Sequence, residues 1–365
     1  MPLSKLLAFG TAFALLGAPI AQGNPTVVAS IKPIHSLVSS VMAGIGKPFL
    51  LVEAGSPHTY SLKPSQARHL QNADAIFWVA HDVETFLEKP LATIAQKTKS
   101  VELGDADGLL KLKFREGGFF DEHDEHDEHD EHDEHDEHDE HDEHDEHDKS
   151  EHDDHEKNEH DEHEKNEHDE HDEHDKNEQN DHEESETDDK HDHGAYDPHS
   201  WLDPANAKVM VDKISTTLAK VDPANREKYE ANARKVNADL DKLIAEVSSE
   251  LDPTNAVGYI VFHDAYQYFE NRFRVPAVGS VTISPEKIPG AKRVKELRDK
   301  VRASKAKCIY SEPQFEPKIL SVITEGTKIH SGILDPLGAE LKSGPSLYFE
   351  LIRNMTSSLQ DCFSS

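Results

Sequence analysis

Histidine is the residue through which this sequence can do chemistry. The chain carries 26 histidines, and 19 of them fall within residues 121–193. Residues 121–147 are nine consecutive Asp-Glu-His triplets, with His123, His126, His129, His132, His135, His138, His141, His144 and His147 at every third position. The pattern then degrades into variants and ends at His193. Neutral imidazole suits zinc, copper and nickel, and a histidine-rich tract is a metal-binding composition. The carboxylates between the histidines raise the local cation concentration. The tract has no aliphatic or aromatic side chain to bury. It is therefore expected to be a disordered loop that binds metal weakly, since nothing offsets the entropy of ordering it. The plainer reading is a solvated charge run produced by repeat expansion.

The other seven histidines are His35, His58, His69, His81, His199, His263 and His330. Ligands of open α/β sheets sit beyond the carboxyl ends of strands, which sorts these residues by position. His58 follows the apolar run Phe49–Val52, and His263 directly follows Val257–Phe262. Asp335 directly follows Lys328–Leu334, and His199 lies in Asp197-Pro198-His199-Ser200-Trp201, just before a helix. These four are placed where a cleft would be. His35 falls one turn into the first helix, where a structural role is expected. His69 falls in a polar helix, His81 in an exposed-looking segment, and His330 in mid-strand. Tyr60, Trp201 and Phe262 flank the candidate ligands and read as an apolar wall limiting solvent access, or simply as core.

The elements that must hold these residues alternate in type. Val27–Ile31, Phe49–Val52 and Ala75–Val79 read as strands; Pro33–Ala43 and Pro64–Asn72 read as helices. After the tract comes an amphipathic helix, Pro204–Val221. Strand-like runs at Val257–Phe262, Cys308–Tyr310 and Lys328–Leu334 then alternate with helices over Ala265–Asn271, Pro289–Ala303, Pro317–Glu325 and Ser346–Leu359. Strands alternating with helices predict an α/β fold built on parallel sheets. With signal and tract set aside, about 270 residues remain, enough for two lobes. Between the halves, Asp222 and Pro223 open a long helical pattern with apolar positions at Tyr229, Ala233, Val236, Leu240, Leu243, Ile244, Val247 and Leu251. It predicts a stiff connecting rod over 222–251.

The first 23 residues have a charged start at Lys5, an apolar stretch from Leu6 to Ile20, and small residues at Ala18, Ala21 and Gly23. They read as a secretory signal, being too short for a membrane span. The domains expected are therefore the signal 1–23, an N-terminal lobe 24–221 containing the insert 121–193, the connecting helix 222–251 and a C-terminal lobe 252–365. The two cysteines, Cys308 and Cys362, read as a disulfide in an exported chain. Their spacing is unlike a C-x-x-C metal pair. Loop-closure entropy gives such a bond roughly 4 kcal/mol. The net charge of −34 belongs to the insert, which holds 41 acidic residues against 5 lysines; the rest is near neutral at +2. Neither part offers the basic face that nucleic-acid binding needs.

Four ordered motifs carry a family resemblance. They are Ser56-Pro57-His58-Thr59-Tyr60-Ser61-Leu62-Lys63-Pro64-Ser65, Asp197-Pro198-His199-Ser200-Trp201-Leu202, Val261-Phe262-His263-Asp264-Ala265-Tyr266 and Ser311-Glu312-Pro313-Gln314-Phe315. Over essentially the whole mature chain the sequence resembles the zinc-binding proteins of bacterial ABC importers, the ZnuA type. The resemblance implies two α/β lobes, each a mostly parallel sheet with flanking helices, joined by one long rigid helix, with Zn²⁺ in the cleft. It implies His58, His199 and His263 as ligands. Some family members have a carboxylate before the first histidine; Pro57 stands there in this chain. Asp335 occupies the place where related manganese binders supply a carboxylate, so it or a water is the expected fourth ligand. Implied partners are an ABC transporter permease and a periplasmic zinc chaperone, and the chain is expected to be a periplasmic monomer. Three imidazoles and an oxygen suit zinc better than manganese. Three protein ligands plus water also describe a catalytic zinc, but the sequence has no H-E-x-x-H and no G-x-S-x-G. No enzyme is expected. Sister proteins were first described as adhesins, which makes a third class.

Overall fold

The computed structural model describes residues 23–115, 195–282, 290–315 and 318–364. Residues 1–22 of the expected signal and the repeat histidines His123 to His147 lie outside the described residues.

Val27–Ile31 is a wholly buried strand, β1, and passes directly into helix α1, Lys32–Val41, with Pro33 in its first turn. Proline is tolerated there because its missing N–H would have no partner anyway. Strand β2 (Phe49–Val52), helix α2 (Pro64–Gln71), strand β3 (Ala75–Trp78), the short helix α3 (Glu88–Thr93) and strand β4 (Lys99–Glu102) follow. The four strands form a parallel sheet in the order β2-β1-β3-β4.

Beyond the insert, α4 spans Pro204–Val221; Asp203 caps it by accepting from the Ala205 N–H at 2.8 Å. Helix α5, Arg226–Glu250, is the predicted rod, about 37 Å long at 1.5 Å per residue. It starts later than expected, because Pro223–Asn225 is a 3₁₀ turn. Asp222 does not cap α5; it accepts instead from Asn225 and the Tyr229 hydroxyl. Side-chain pairs Lys208–Asp241 and Asn237–Asp212 show α4 and α5 running antiparallel. Tyr229, Ala233, Val236, Leu240, Leu243 and Val247 are the buried stripe of α5, and the helix packs on α1, α4 and the final helix.

The second sheet repeats the plan of the first. Its elements are β5 (Tyr259–His263), α6 (Gln267–Phe273), β6 (Gly279–Thr282), α7 (Ala291–Ala303), β7 (Cys308–Ser311), α8 (Lys318–Thr324), β8 (His330–Ile333) and α9 (Leu347–Phe363). All four strands are parallel, ordered β6-β5-β7-β8. Cys308 and Cys362 form a disulfide that ties α9 to β7.

One apolar cluster runs from Phe77 and Ile34 at the first sheet, through Ile214 and Leu218 of α4 and Leu240 of α5, to Tyr259 and Leu351 at the second. A smaller cluster, including Ile260, Leu297, Ile309 and Ile323, packs α7 and α8 on the other face of the second sheet.

Candidate metal centre

The topology puts a switch point between the paired central strands of each sheet, where chain connections depart to opposite sides. In the second sheet that point lies between β5 and β7. His263 is the last residue of β5 and Glu312 is the first residue after β7. Glu312 Oε1 accepts from His263 Nδ1 at 2.6 Å and from the His263 backbone N–H at 3.3 Å. Both side chains are buried. Burial opposes protonation of His263, but the Glu312 carboxylate together with Asp264 and Asp197 outweighs it, and the imidazole is held above its ordinary value.

His58 lies in the 3₁₀ turn Pro57–Thr59, reached from β2 through Gly55 at φ +85°, a conformation glycine adopts without strain. Ser56 Oγ accepts from the His58 N–H at 3.3 Å and caps the turn. His58 Nδ1 meets the Asp82 carbonyl at 3.1 Å. The loop carrying that carbonyl is held by Glu84, a fully buried carboxylate that accepts from Ser30 and from the Val79 and Ala80 N–H groups. Burial pushes Glu84 up to about 7.

His199 precedes the 3₁₀ turn Ser200–Leu202. Asp197 Oδ1 accepts from both its backbone N–H, at 2.9 Å, and its Nδ1, at 2.7 Å. Burial pushes Asp197 up to about 7, opposed by the His199 hydrogen bond and by Arg115. A carbonyl or carboxylate only accepts, so each Nδ1 carries the hydrogen and Nε2 is the atom each ring offers to a metal.

The three histidines converge. Their ligand atoms all lie within 4.8 Å of one another. His199 Nε2 and His263 Nε2 are 3.3 Å apart. Trp201 stands 5.2 Å from the His199 ring and Phe315 stands 6.0 Å from the His263 ring, centroid to centroid. The cavity they enclose measures about 10 Å³. That admits one ion or one water-sized occupant and no organic ligand, which would need hundreds of Å³.

The other expectations fare differently. Asp335 is not drawn into the cluster. Its carboxylate is consumed by the Leu337, Gly338 and Ala339 N–H groups and by the Gln314 amide. Gly338, at φ +68°, lets that loop curl around it. His35 Nε2 meets the Pro48 carbonyl, and burial lowers its pKa. His69 stacks on Phe49, His81 pairs with Asp82 and Glu88, and His330 is exposed on β8. Of the expected apolar wall only Trp201 lines the cavity; Phe315 takes part instead of Tyr60 and Phe262. Tyr60 packs on Phe86, and Phe262 joins the smaller core on the other face of the sheet.

Sequence reasoning gave Asp197 and Glu312 no role, although both stood in the quoted motifs. The signal for Glu312 was its place one residue past a strand end, like that of His263. Arg115 went unnoticed. Its guanidinium bridges Asp264, next to His263, and Glu270 on α6. It is the cation that accompanies this buried acidic cluster.

Two parallel α/β lobes, a long helix between them and a trihistidine cavity define a metal-binding solute-binding protein of the ABC-importer class. The family model described as "Zinc-uptake complex component A periplasmic" matches residues 27–362, and the chain belongs to this family. It is 50% identical over 362 residues to the high-affinity zinc uptake system protein ZnuA of Brucella suis biovar 1, covering 99% of this chain and 98% of that one. It is 36% identical to the protein of the same description from Paracoccus denitrificans, covering 100% and 99%. Among solved structures, a ZnuA crystal structure superposes with TM-score 0.64 at 20% identity, covering 93% of this chain and 98% of that one. The laminin-binding protein of Streptococcus agalactiae, described as having adhesin and metal-transporting activity, superposes with TM-score 0.63 at 18% identity, covering 93% and 99%. These last two likenesses show the fold. Among the described residues no helix is long and apolar enough to cross a membrane.

Proposed function

We propose that this protein captures Zn²⁺ in the periplasm through His58, His199 and His263 and delivers it to an ABC permease for uptake. The observation that carries this reading is the 3.3 Å separation of the His199 and His263 Nε2 atoms. Two nitrogens at tetrahedral corners, each about 2.0–2.1 Å from a zinc ion, stand roughly 3.3–3.4 Å apart. The pair is therefore already at the spacing of one zinc edge. The hydrogen-bonded Nδ1 atoms support it, because an outer acceptor fixes each tautomer and raises ligand basicity. The relatives' description as zinc uptake proteins and the chain's membership of the family support the same cargo. The disulfide suits an oxidising compartment outside the cytoplasm. The histidine-rich insert would hold further zinc at low affinity, as reservoir or sensor. A zinc chaperone as second partner and a monomeric state belong to the same proposal.

The test is competition titration of zinc against a chelator, on protein lacking residues 121–193. One tight site is expected, weakened by orders of magnitude in His58→Ala, His199→Ala and His263→Ala. Any of these that keeps wild-type affinity is not a ligand. Affinity should also fall on acidification through about pH 6–6.5, because the histidines bind metal only when unprotonated. The raised His263 starts that fall at a higher pH than a free imidazole would.

A further inference from the structure

Three histidines leave one corner of a tetrahedral zinc site open, and Asp335 cannot turn to fill it without giving up four hydrogen bonds. Gln314 stands between them. Its Nε2 donates to Asp335 Oδ1 at 2.8 Å. The same oxygen already accepts from the Leu337 and Gly338 N–H groups, so the amide nitrogen faces Asp335 and the amide oxygen faces away. The assignment of oxygen and nitrogen is thus fixed by chemistry. Gln314 Oε1 is buried and has no hydrogen-bond partner among the described residues. Buried polar atoms are seldom left so, and each exception calls for an explanation.

Gln314 lines the histidine cavity together with His58, His199 and His263. It also borders a neighbouring small cavity beside Lys32. Lys32 does not serve the amide oxygen, because its three N–H groups go to the carbonyls of Gly338, Ala339 and Leu341. An ion held by the three histidines in the cavity that Gln314 lines would satisfy Oε1.

Resting on the zinc reading above, we propose that Gln314 Oε1 is the protein oxygen that serves the fourth coordination position. Asp335 acts behind it, as the anchor that turns the amide. A neutral amide oxygen keeps the site at the full charge of the ion. A carboxylate in the same place would reduce that charge and hold the cargo more tightly. The arrangement therefore suits a site that must later give its ion up.

The experiment uses the mature protein, with zinc competition titration and the visible spectrum of the cobalt(II)-loaded form, which reports coordination number and donor set. Gln314→Leu and Gln314→Met are compared with wild type, and thermal unfolding is recorded for each. Gln314→Met keeps the length of the side chain without its oxygen and is the decisive variant if Gln314→Leu folds poorly. The expected result is a zinc affinity lowered roughly 10- to 100-fold, the usual effect of losing a group that supports a metal site, together with a changed cobalt spectrum. Zinc affinity within two-fold of wild type and an unchanged spectrum in a folded variant would overturn the assignment. The control is wild-type protein beside His199→Ala. If wild type itself shows no tight site, the zinc reading fails. If it does and the Gln314 variants are silent, only the role of Gln314 fails.

Discussion

Arg115→Met should destabilise the metal-free protein markedly, and more at neutral than at acidic pH. The Arg115 side chain is 19% exposed and its partners Asp264 and Glu270 only 6% and 3%. Removing one member of a buried ion pair leaves an uncompensated charge and costs roughly 3–5 kcal/mol. Glu270 keeps one hydrogen bond, from the Ala277 N–H at 3.1 Å, so the lower end, about 3 kcal/mol, is expected. In a protein of this size each kcal/mol moves the midpoint by about 2–4 °C, so Tm should drop roughly 6–12 °C. Burial already pushes Asp264 and Glu270 up, with Arg115 opposing. An acid whose folded pKa lies above its unfolded value binds more protons when folded, so stability falls as pH rises between the two. Without Arg115 both folded values rise further and that fall deepens. The loss in Tm should therefore be larger at pH 7.5 than at pH 5, because acidification favours the protonated, uncharged form of the two acids. Thermal unfolding followed by circular dichroism, with chelator present so that bound metal does not mask the loss, measures both quantities. A drop under about 2 °C, or one that is the same at both pH values, would refute the idea that Arg115 compensates a buried acidic cluster.

Other consequences are as direct. Glu312→Gln removes the charge behind His263 while keeping a hydrogen-bonding oxygen. It should weaken zinc roughly 10-fold or more in chelator competition, and an unchanged affinity would mean that His263 needs no carboxylate. Replacing Cys308 and Cys362 together by alanine should lower stability by up to about 4 kcal/mol in denaturant unfolding. Zinc affinity should stay near wild type, because neither sulfur lines the histidine cavity. Deleting residues 121–193 should reduce the zinc ions bound per chain, counted by metal analysis, and leave the tight site in place. Loss of the tight site would show that the insert supplies a ligand.

Much of this arrangement was legible before the structure. The strands Val27–Ile31, apolar but for Ser30, and Phe49–Val52, apolar throughout, stand in the structure at the bounds the sequence predicts. The buried stripe of α5 follows the apolar spacing of the sequence. Two strands escaped notice, β4 (Lys-Ser-Val-Glu) and β6 (Gly-Ser-Val-Thr). Each is four residues long with a single large apolar side chain, too little to set a period. The convergence of His58, His199 and His263 rested on motif resemblance, since no two of them are close in sequence. The outer partners were harder still. Arg115 reaches Asp264 across 149 positions, and His263 reaches Glu312 across 49. Asp335 stands at a strand end as expected, yet the backbone that follows it curls back and takes its oxygens. Strand-end position does not encode that competition.

The apolar core does not stop between the two sheets. It runs on through α4, α5 and α9. Polar ties cross the same boundary: Lys32 to Gly338 and Leu341, Ser36 to Pro345, Trp201 to Pro336, and the Tyr348 hydroxyl to the Trp201 carbonyl. Swinging the lobes apart would wet that shared interior and break those ties together. Laden and empty carriers should therefore have nearly the same outline, with closely similar radii of gyration in solution scattering. Any difference between them would have to lie at the rim of the histidine cavity, which the turn around His58 and the backbone at Pro336 and Leu337 form.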